Sequence, residues 1–482
     1  MKKIFVLILT SLVGFSALFA GGRKDVDSSY INLLPSYTSM AMDMVSCGNT
    51  VYEALLAMDH TDLSEGTPIF LNKYVDNVYD STLRLDVEGF TNYEFMENYS
   101  HYDFLKLYAL SPDEIILTVY ASFSDNRFAF FRIKDGKVIA YKSYSLKNQS
   151  ASESQLYAFN GKDTIYVAFN GMTDFQKRGW DLYLMSFDLD GNLKKSVTIG
   201  TKKNDELIAL AAFDDGVYFG IRETFEKQAV LRLSKDLEFE KCWACKSSGS
   251  GIRLFDCESD AESENLLVTF YMENQNSDFV ARYSSAGDFI SAYKIDESAS
   301  DTEFNFCKKK ISDAGVLYFG QRVRYDDSFG ERLGADFITY FVDWDGNKAY
   351  EKIFKDKNNL NFKRFASVDG KYFCTGEKIH TGDGIGHIAY TYLVGGKSED
   401  TSLVSIEKTD LNPFALPENP DAREKRVKEM ERWEKRVSVE DIEIPVWDFG
   451  YDIQKIRLPY KHALPDSKAV TDTIPLFPFS ER

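Results

Sequence analysis

"DLDGNL" (188–193) lies between two stretches rich in apolar residues, "WDLYLMSF" (180–187) and "KKSVTI" (194–199), and most of it returns as "DWDGNK" at 343–348. The corner is either a calcium loop or a turn. An EF-hand loop needs further spaced acids and a later glutamate between two helices. "DLDGNLKK" has neither. Asp-Gly does supply the positive φ values that tight hairpin turns require. The corner reads as a hairpin turn, so its flanks read as strands.

The pattern around it recurs from about residue 104: apolar segment, polar turn, long apolar strand, variable loop, aromatic strand, tight turn, closing strand. In the second position stand "DEIILTVYASF" (113–123), "DTIYVAFNG" (163–171), "GVYFGIRE" (216–223), "NLLVTFYME" (265–273), "GVLYFGQRV" (315–323) and "GKYFCTGE" (370–377). In the third stand "NRFAFFRI" (126–133), "WDLYLMSF", "QAVLRLS" (228–234), "DFVARYS" (278–284), "DFITYFVD" (336–343) and "GHIAYTYL" (386–393). The following turn carries Gly136, Gly191, Gly287, Gly346 and Gly396, with Asp236-Leu237 substituting once. The mean spacing is 52 residues over five steps. Residues 38–88 read as one further unit.

Units of this length with four strands resemble the blades of a β-propeller. The expected fold is all-β: a propeller of about seven four-stranded blades, within a range of six to eight, over residues 38–408. The resemblance rests on periodicity and turn chemistry. The chain has no Trp-Asp signature, no kelch double glycine and no sialidase box, so no functional residue carries over from any family.

The aromatic share of 15% agrees with sheet. The first twenty residues read as a signal peptide, with "MKK" before an apolar run and cleavage expected between Ala20 and Gly21. A segment 21–37 then leads into the propeller. The first cysteine is Cys47, far past any lipobox position, so the expected protein is exported, periplasmic or secreted, and not lipidated. No membrane span is expected after signal removal. Cleavage removes two lysines and no acid, taking the net charge from −18 to −20. Such a field repels nucleic acid.

Six cysteines permit disulfides without making a disulfide scaffold. "KCWAC" (241–245) reads as part of a strand. Residues three apart on a strand point to opposite faces, so Cys242 and Cys245 are expected neither to pair nor to share a metal.

Beyond about residue 409 the composition changes, with eight of eleven prolines in this extension. "NPDAREKRVKEMERWEKRV" (419–437) reads as a helix over about 420–437. Asn419 is its N-cap, Pro420 its first position, and Glu424–Lys428 and Glu431–Lys435 are i,i+4 pairs. Val427, Met430, Trp433 and Val437 form its apolar stripe, which is expected to dock on the propeller rim. "DIEIPVW" (441–447) and "IQKIRLPY" (453–460) are expected to add strands to open blade edges.

Alternation of strand direction sorts the loops onto two faces. The variable set comprises 58–67, 171–179, 322–335 and 377–387, and function concentrates on such loops. Their polar residues give the expected ligand-binding set: His60, Asp62, Arg322, Arg324, Asp326, Asp327, His380, Asp383 and His387. His60, His380 and His387 are the residues there suited to a transition metal, but their spacing matches no ligand motif. No cofactor is expected. "TGDGIG" (381–386) joins two antiparallel strands and lacks the strand–helix context of a phosphate loop. No nucleophile elbow is present; "SSGSG" (247–251) sits in an inter-blade connection. The leading expectation is a non-enzymatic propeller binding an envelope or extracellular protein, or a glycan, through its long-loop face. A glycan or peptide hydrolase or lyase acting at the channel mouth is the alternative, and a metal- or small-ligand-binding propeller the third.

Overall fold

A computed structural model describes residues 28–456, apart from 33–36, 60–67, 77, 89–104, 122–126, 146–149, 175–178, 202–204, 225–226, 246–250, 261–263, 298–303, 313, 326–331, 355–360, 369–370, 381–385, 395–398, 417, 445 and 447–449. The expected signal peptide and its cleavage point at Ala20 and Gly21 lie outside the described residues.

The described strands form seven antiparallel sheets, six of them built on four consecutive strands and the seventh on three. Blade 1 spans residues 37–87, blade 2 105–145, blade 3 150–200, blade 4 206–244, blade 5 252–297 and blade 6 304–354. Blade 7 takes three strands from 361–394, and its outer strand is Ser28–Asn32, paired antiparallel to Gly386–Val394. The repeat spacing therefore marks the blades, while the strand that closes the last one comes from the other end of the chain. The inner strands of blades 1 and 2, and of each successive pair from blade 3 to blade 7, pack on one another, and that of blade 7 packs on that of blade 1, closing the ring. Blades 2 and 3 share a core in which Phe128 stacks on Phe187.

Buried polar side chains tie the blades together. The N–H groups of Leu107, Leu207 and Leu254, on inner strands of blades 2, 4 and 5, donate to Asp43, Asn170 and Gln228 of the preceding blades at 2.9, 2.9 and 2.6 Å. At the closing seam Arg364 Nε of blade 7 donates to Met42 O of blade 1 at 2.6 Å. Thr375 of blade 7 donates to the buried Glu53 of blade 1 at 2.6 Å, and Glu53 also accepts from Asn72 and Tyr74. Every inner strand carries a register irregularity, as between Ala41 and Asp43 or between Leu254 and Asp256. Such irregularities leave backbone groups without ladder partners and bend the strand. Met42, skipped in the ladder, is one residue whose carbonyl gains a partner from the next blade.

The opening corner is a turn. Gly191 N donates to Asp188 O, while Asp188 Oδ1 accepts from Asn192 N at 2.8 Å and Asp188 Oδ2 from Asn192 Nδ2 at 2.9 Å. Asp343 and Asn347 repeat these contacts at 2.8 and 3.0 Å. Ser234 and Ser284 take the aspartate's place, each accepting from the N–H four residues on. Both aspartates are committed to their own turns.

The C-terminal extension is a belt. Leaving blade 7, it pairs 399–400 with the outer strand of blade 6 and Val404–Thr409 with that of blade 5. The helix Pro420–Arg436 lies on the outer strand of blade 4. Ser438–Asp441 then joins blade 3, Val446 bridges Tyr144 of blade 2, and Tyr451–Ile456 joins blade 1. Every strand pairing is antiparallel, and the belt steps back one blade at a time. Outer edges are the exposed hydrogen-bonding rows of a propeller, and the belt covers them with chain of its own.

The expected helix caps are present. Asn419 Oδ1 accepts from Asp421 N and Ala422 N at 3.0 and 3.1 Å. Glu424–Lys428 and Glu431–Lys435 both pair. The buried face differs in one respect from the apolar stripe. Trp433 is buried with Met430 and Val437 packed near it, but Val427 is 37% exposed and Arg426 is buried instead. The Arg426 guanidinium donates to Ala244 O at the end of the outer strand of blade 4. A charged hydrogen bond to an edge carbonyl thus outweighs burial of one more methyl pair. Arg436 in the last turn pairs with the buried Glu223 of blade 4.

Candidate interaction face

The face opposite the Asp-Gly corners carries long hairpins between the second and third strands of blades 6 and 7. In blade 6 the second and third strands, Gly315–Tyr325 and Arg332–Asp343, stay paired as far as Tyr325 and Arg332. Among the described residues the inner strand pairs up to Arg322 and the outer strand up to Phe337. The pairs Val323–Ala335, Arg324–Gly334 and Tyr325–Arg332 carry this hairpin, here called its finger, past those positions. Blade 7 repeats this. Its second and third strands pair as far as His380 and Gly386, while among the described residues the inner strand pairs up to Glu377 and Ser28–Asn32 up to Tyr390. Blades 6, 7 and 1 are consecutive around the ring, so the two fingers are neighbours.

Of the expected ligand-binding residues, Arg322 and Arg324 are in the finger of blade 6, and His380 and His387 are in that of blade 7. Arg322 stands at the finger's base, opposite the buried Asp336. Asp326, Asp327 and Asp383 lie outside the described residues, as do His60 and Asp62. His380 is paired with Gly386 and His387 with Ile379, so the two histidines occupy positions on opposite faces of the hairpin. One metal ion between them does not fit that register. Among the described residues, no group of three or more His, Cys, Asp and Glu could hold a metal.

Cys242 and Cys245 also take opposite faces. Cys242 belongs to the core between blades 3 and 4, and Cys245 to the core between blades 4 and 5. Burial pushes the Cys242 thiol up to about 12 and that of Cys245 higher still, so both are inert thiols.

The short-turn face is a structural seam. Tyr52, Tyr144 and Tyr218 donate to Pro112 O, Gly191 O and Ser285 O of the next blade at 2.9, 2.7 and 2.8 Å. Lys73 pairs with Asp113 across blades 1 and 2 at 2.6 Å, and this hydrogen bond holds the Asp113 carboxyl below its ordinary value. Glu114 is lowered by its hydrogen bond from Lys134, with Arg132 adding to the effect. A cavity of about 210 Å³ between blades 1 and 2 is lined by Leu71, Leu83, Asp80, Asp135 and Lys455 beside the Lys73–Asp113 pair. It is smaller than the roughly 300–1,000 Å³ of ordinary ligand pockets. Sequence reasoning missed this cavity, because its lining comes from two blades and the belt.

No protein-family model matches the chain, and no curated protein sequence matches it. Solved structures show similarity of layout. A prolyl endopeptidase matches with a TM-score of 0.43 at 10% identity, covering 79% of this chain and 51% of its own. Pyrococcus horikoshii acylaminoacyl peptidase matches at 0.37 and 12%, covering 71% and 58%. The subtype N10 neuraminidase-like protein of A/little yellow-shouldered bat/Guatemala/060/2010 matches at 0.34 and 8%, covering 60% and 90%. The chain spans little more than half the length of the two peptidases. The fold assignment rests on the chain's own sheet topology, and no chemistry is carried over from these proteins. No helix of the described residues is long and apolar enough to cross a membrane.

Proposed function

We propose that this chain is an exported, non-enzymatic scaffold that binds an envelope or extracellular macromolecule through the fingers of blades 6 and 7. The observation that carries the reading is the pair of neighbouring long hairpins on one face. The ring behind them is held blade to blade by buried hydrogen bonds. Rigid scaffolds presenting projecting loops are the usual form of a binding surface. The blade 6 hairpin carries Arg322, Arg324 and Arg332 together with Asp326, Asp327 and Glu331, a mixed set that suits a charged partner surface.

The test is crosslinking capture from the native envelope with tagged residues 21–482. The comparison is a variant in which 324–333 is replaced by a two-residue Asn-Gly turn. One near-stoichiometric partner, lost with the shortened finger, is the expected result. Equal capture by both proteins, or capture of nothing, removes the reading and leaves a small ligand or substrate as the explanation.

A further inference from the structure

We infer that the cavity between blades 1 and 2 is a binding site for a small aliphatic zwitterion, with the chemistry of a short α-amino acid. Its place is set by a difference within the repeat. On the fourth strands of blades 1, 4 and 5, Leu83, Trp243 and Tyr293 hold one register position, each opposite the residue four before the end of the third strand. The corner glycine of the next blade sits over that position. A Cβ on Gly287 would lie 2.6 Å from the Trp243 ring, and one on Gly346 would lie 3.7 Å from Tyr293. Tyr293 also reaches across to the Tyr318 hydroxyl of blade 6. Blade 1 has a leucine there instead, 3.5 Å from the Cβ position of Gly136. Where the other two seams carry an aromatic ring, this one keeps a cavity of about 210 Å³.

The lining fixes the class of ligand. Its floor is apolar, with Leu71, Leu83, Ile115 and Ile133 all buried. Its rim is charged with both signs. Asp80 of blade 1 and Asp135 of blade 2 are exposed carboxylates, and Lys455 of the belt is an exposed ammonium. Lys73 and Asp113 are closed on each other at 2.6 Å and form a wall. Asp80 accepts from Ser81 Oγ at 2.8 Å, and Asp135 stands in a left-handed turn at φ +49° whose N–H donates to Asp113 O at 2.9 Å. An aliphatic side chain on the floor, an ammonium at Asp80 and Asp135, and a carboxylate at Lys455 match all of these features together. A plain anion would meet two carboxylates for one lysine. The volume, below that of ordinary ligand pockets, admits only a compact molecule. Lys455 is paired in register with Leu83, so the bound molecule also ties the belt to the seam. The cavity is on the short-turn face, and its occupancy does not depend on the fingers.

L-Valine is the probe, compared with isobutylamine, which lacks the carboxylate, and isovalerate, which lacks the ammonium. Binding to the full chain is read from the melting temperature and from the amide signals of Leu83 and Gly136. L-Valine is expected to bind with a Kd at or below about 1 mM, and each analogue at least about threefold more weakly. Leu83→Phe gives blade 1 a ring like those of its counterparts, and is expected to fold and to lose binding. Asp135→Asn keeps a residue suited to the left-handed turn while removing the charge, so it tests the site without filling it. Asp135→Asn and Lys455→Gln are each expected to weaken L-valine binding by about threefold to tenfold. Failure of the folded protein to bind L-valine overturns the proposal. So does either analogue binding as tightly as L-valine, or binding undiminished in any of these variants that folds.

Discussion

Leu237 occupies the corner position that glycine takes in blades 3, 5 and 6, with φ at +58°, yet its side chain is fully buried in the core between blades 3 and 4. Two effects compete in Leu237→Gly. Removing a left-handed leucine relieves about 1–2 kcal/mol. Emptying the core site costs about 2–5 kcal/mol, and the glycine adds chain entropy to the unfolded state. Burial wins, so the variant is expected to lose about 1–3 kcal/mol, read from the urea midpoint. The repeat showed Asp236-Leu237 standing in for a glycine; that its leucine also plugs the core was not legible, because the contact partners lie in another blade. Titration of the turn face gives a second prediction. Asp113, Glu114 and Asp343 all have carboxyls held below their ordinary values, by Lys73, by Lys134 and by Asn347 respectively. A depressed carboxyl contributes stability above its unfolded value, near pH 4, and the contribution is lost as pH falls through the folded value. The denaturation midpoint is therefore expected to drop below about pH 4, and less steeply in Glu114→Gln. A slope unchanged by that substitution would exclude Glu114 as a contributor.

The helix and the clasp of the belt carry the element-scale predictions. Trp433 is the helix's only buried apolar side chain, and Trp433→Ala is expected to cost about 3–5 kcal/mol of docking or global stability. Val427→Ala, on the exposed side of the helix, is expected to stay within about 0.5 kcal/mol. Equal losses would mean that the helix sits the other way round. Glu351 of blade 6 is the clasp. Its carboxylate accepts from Leu403 N at 2.7 Å, Val404 N at 3.2 Å and Lys348 Nζ at 2.6 Å. Glu351→Ala leaves two belt amides without their acceptor, each worth about 1–3 kcal/mol when buried. Proteolysis between 395 and 410 is expected to precede unfolding of the ring in that variant. The helix's limits, caps and ion pairs were legible because they are encoded within a few residues. Arg426 was not, since its partner is the carbonyl of Ala244.

The number of blades was legible because turn glycines recur at a near-constant interval. The closing strand was not. Ser28–Asn32 is five residues without a long apolar period, and its partner lies more than 350 residues away. Edge strands were expected at 441–447 and 453–460 and are found at Ser438–Asp441 and Tyr451–Ile456; those at 399–400 and Val404–Thr409 were not legible, nor was the backward order, which no local pattern encodes. The finger residues were singled out as variable loops; the register that pairs them, and that parts His380 from His387, belongs to the folded sheet. A belted ring has a mechanical consequence: the extension is part of the fold rather than an appendage. The most direct test is to cut it. With a protease site placed in the 395–398 connection, the folded protein is cleaved and its halves are followed by size-exclusion chromatography and thermal melting. The belt is expected to stay bound after cleavage and to leave only with denaturant, the ring then melting at lower temperature. Free dissociation of the belt on cleavage, with the ring's melting unchanged, would contradict the belted propeller.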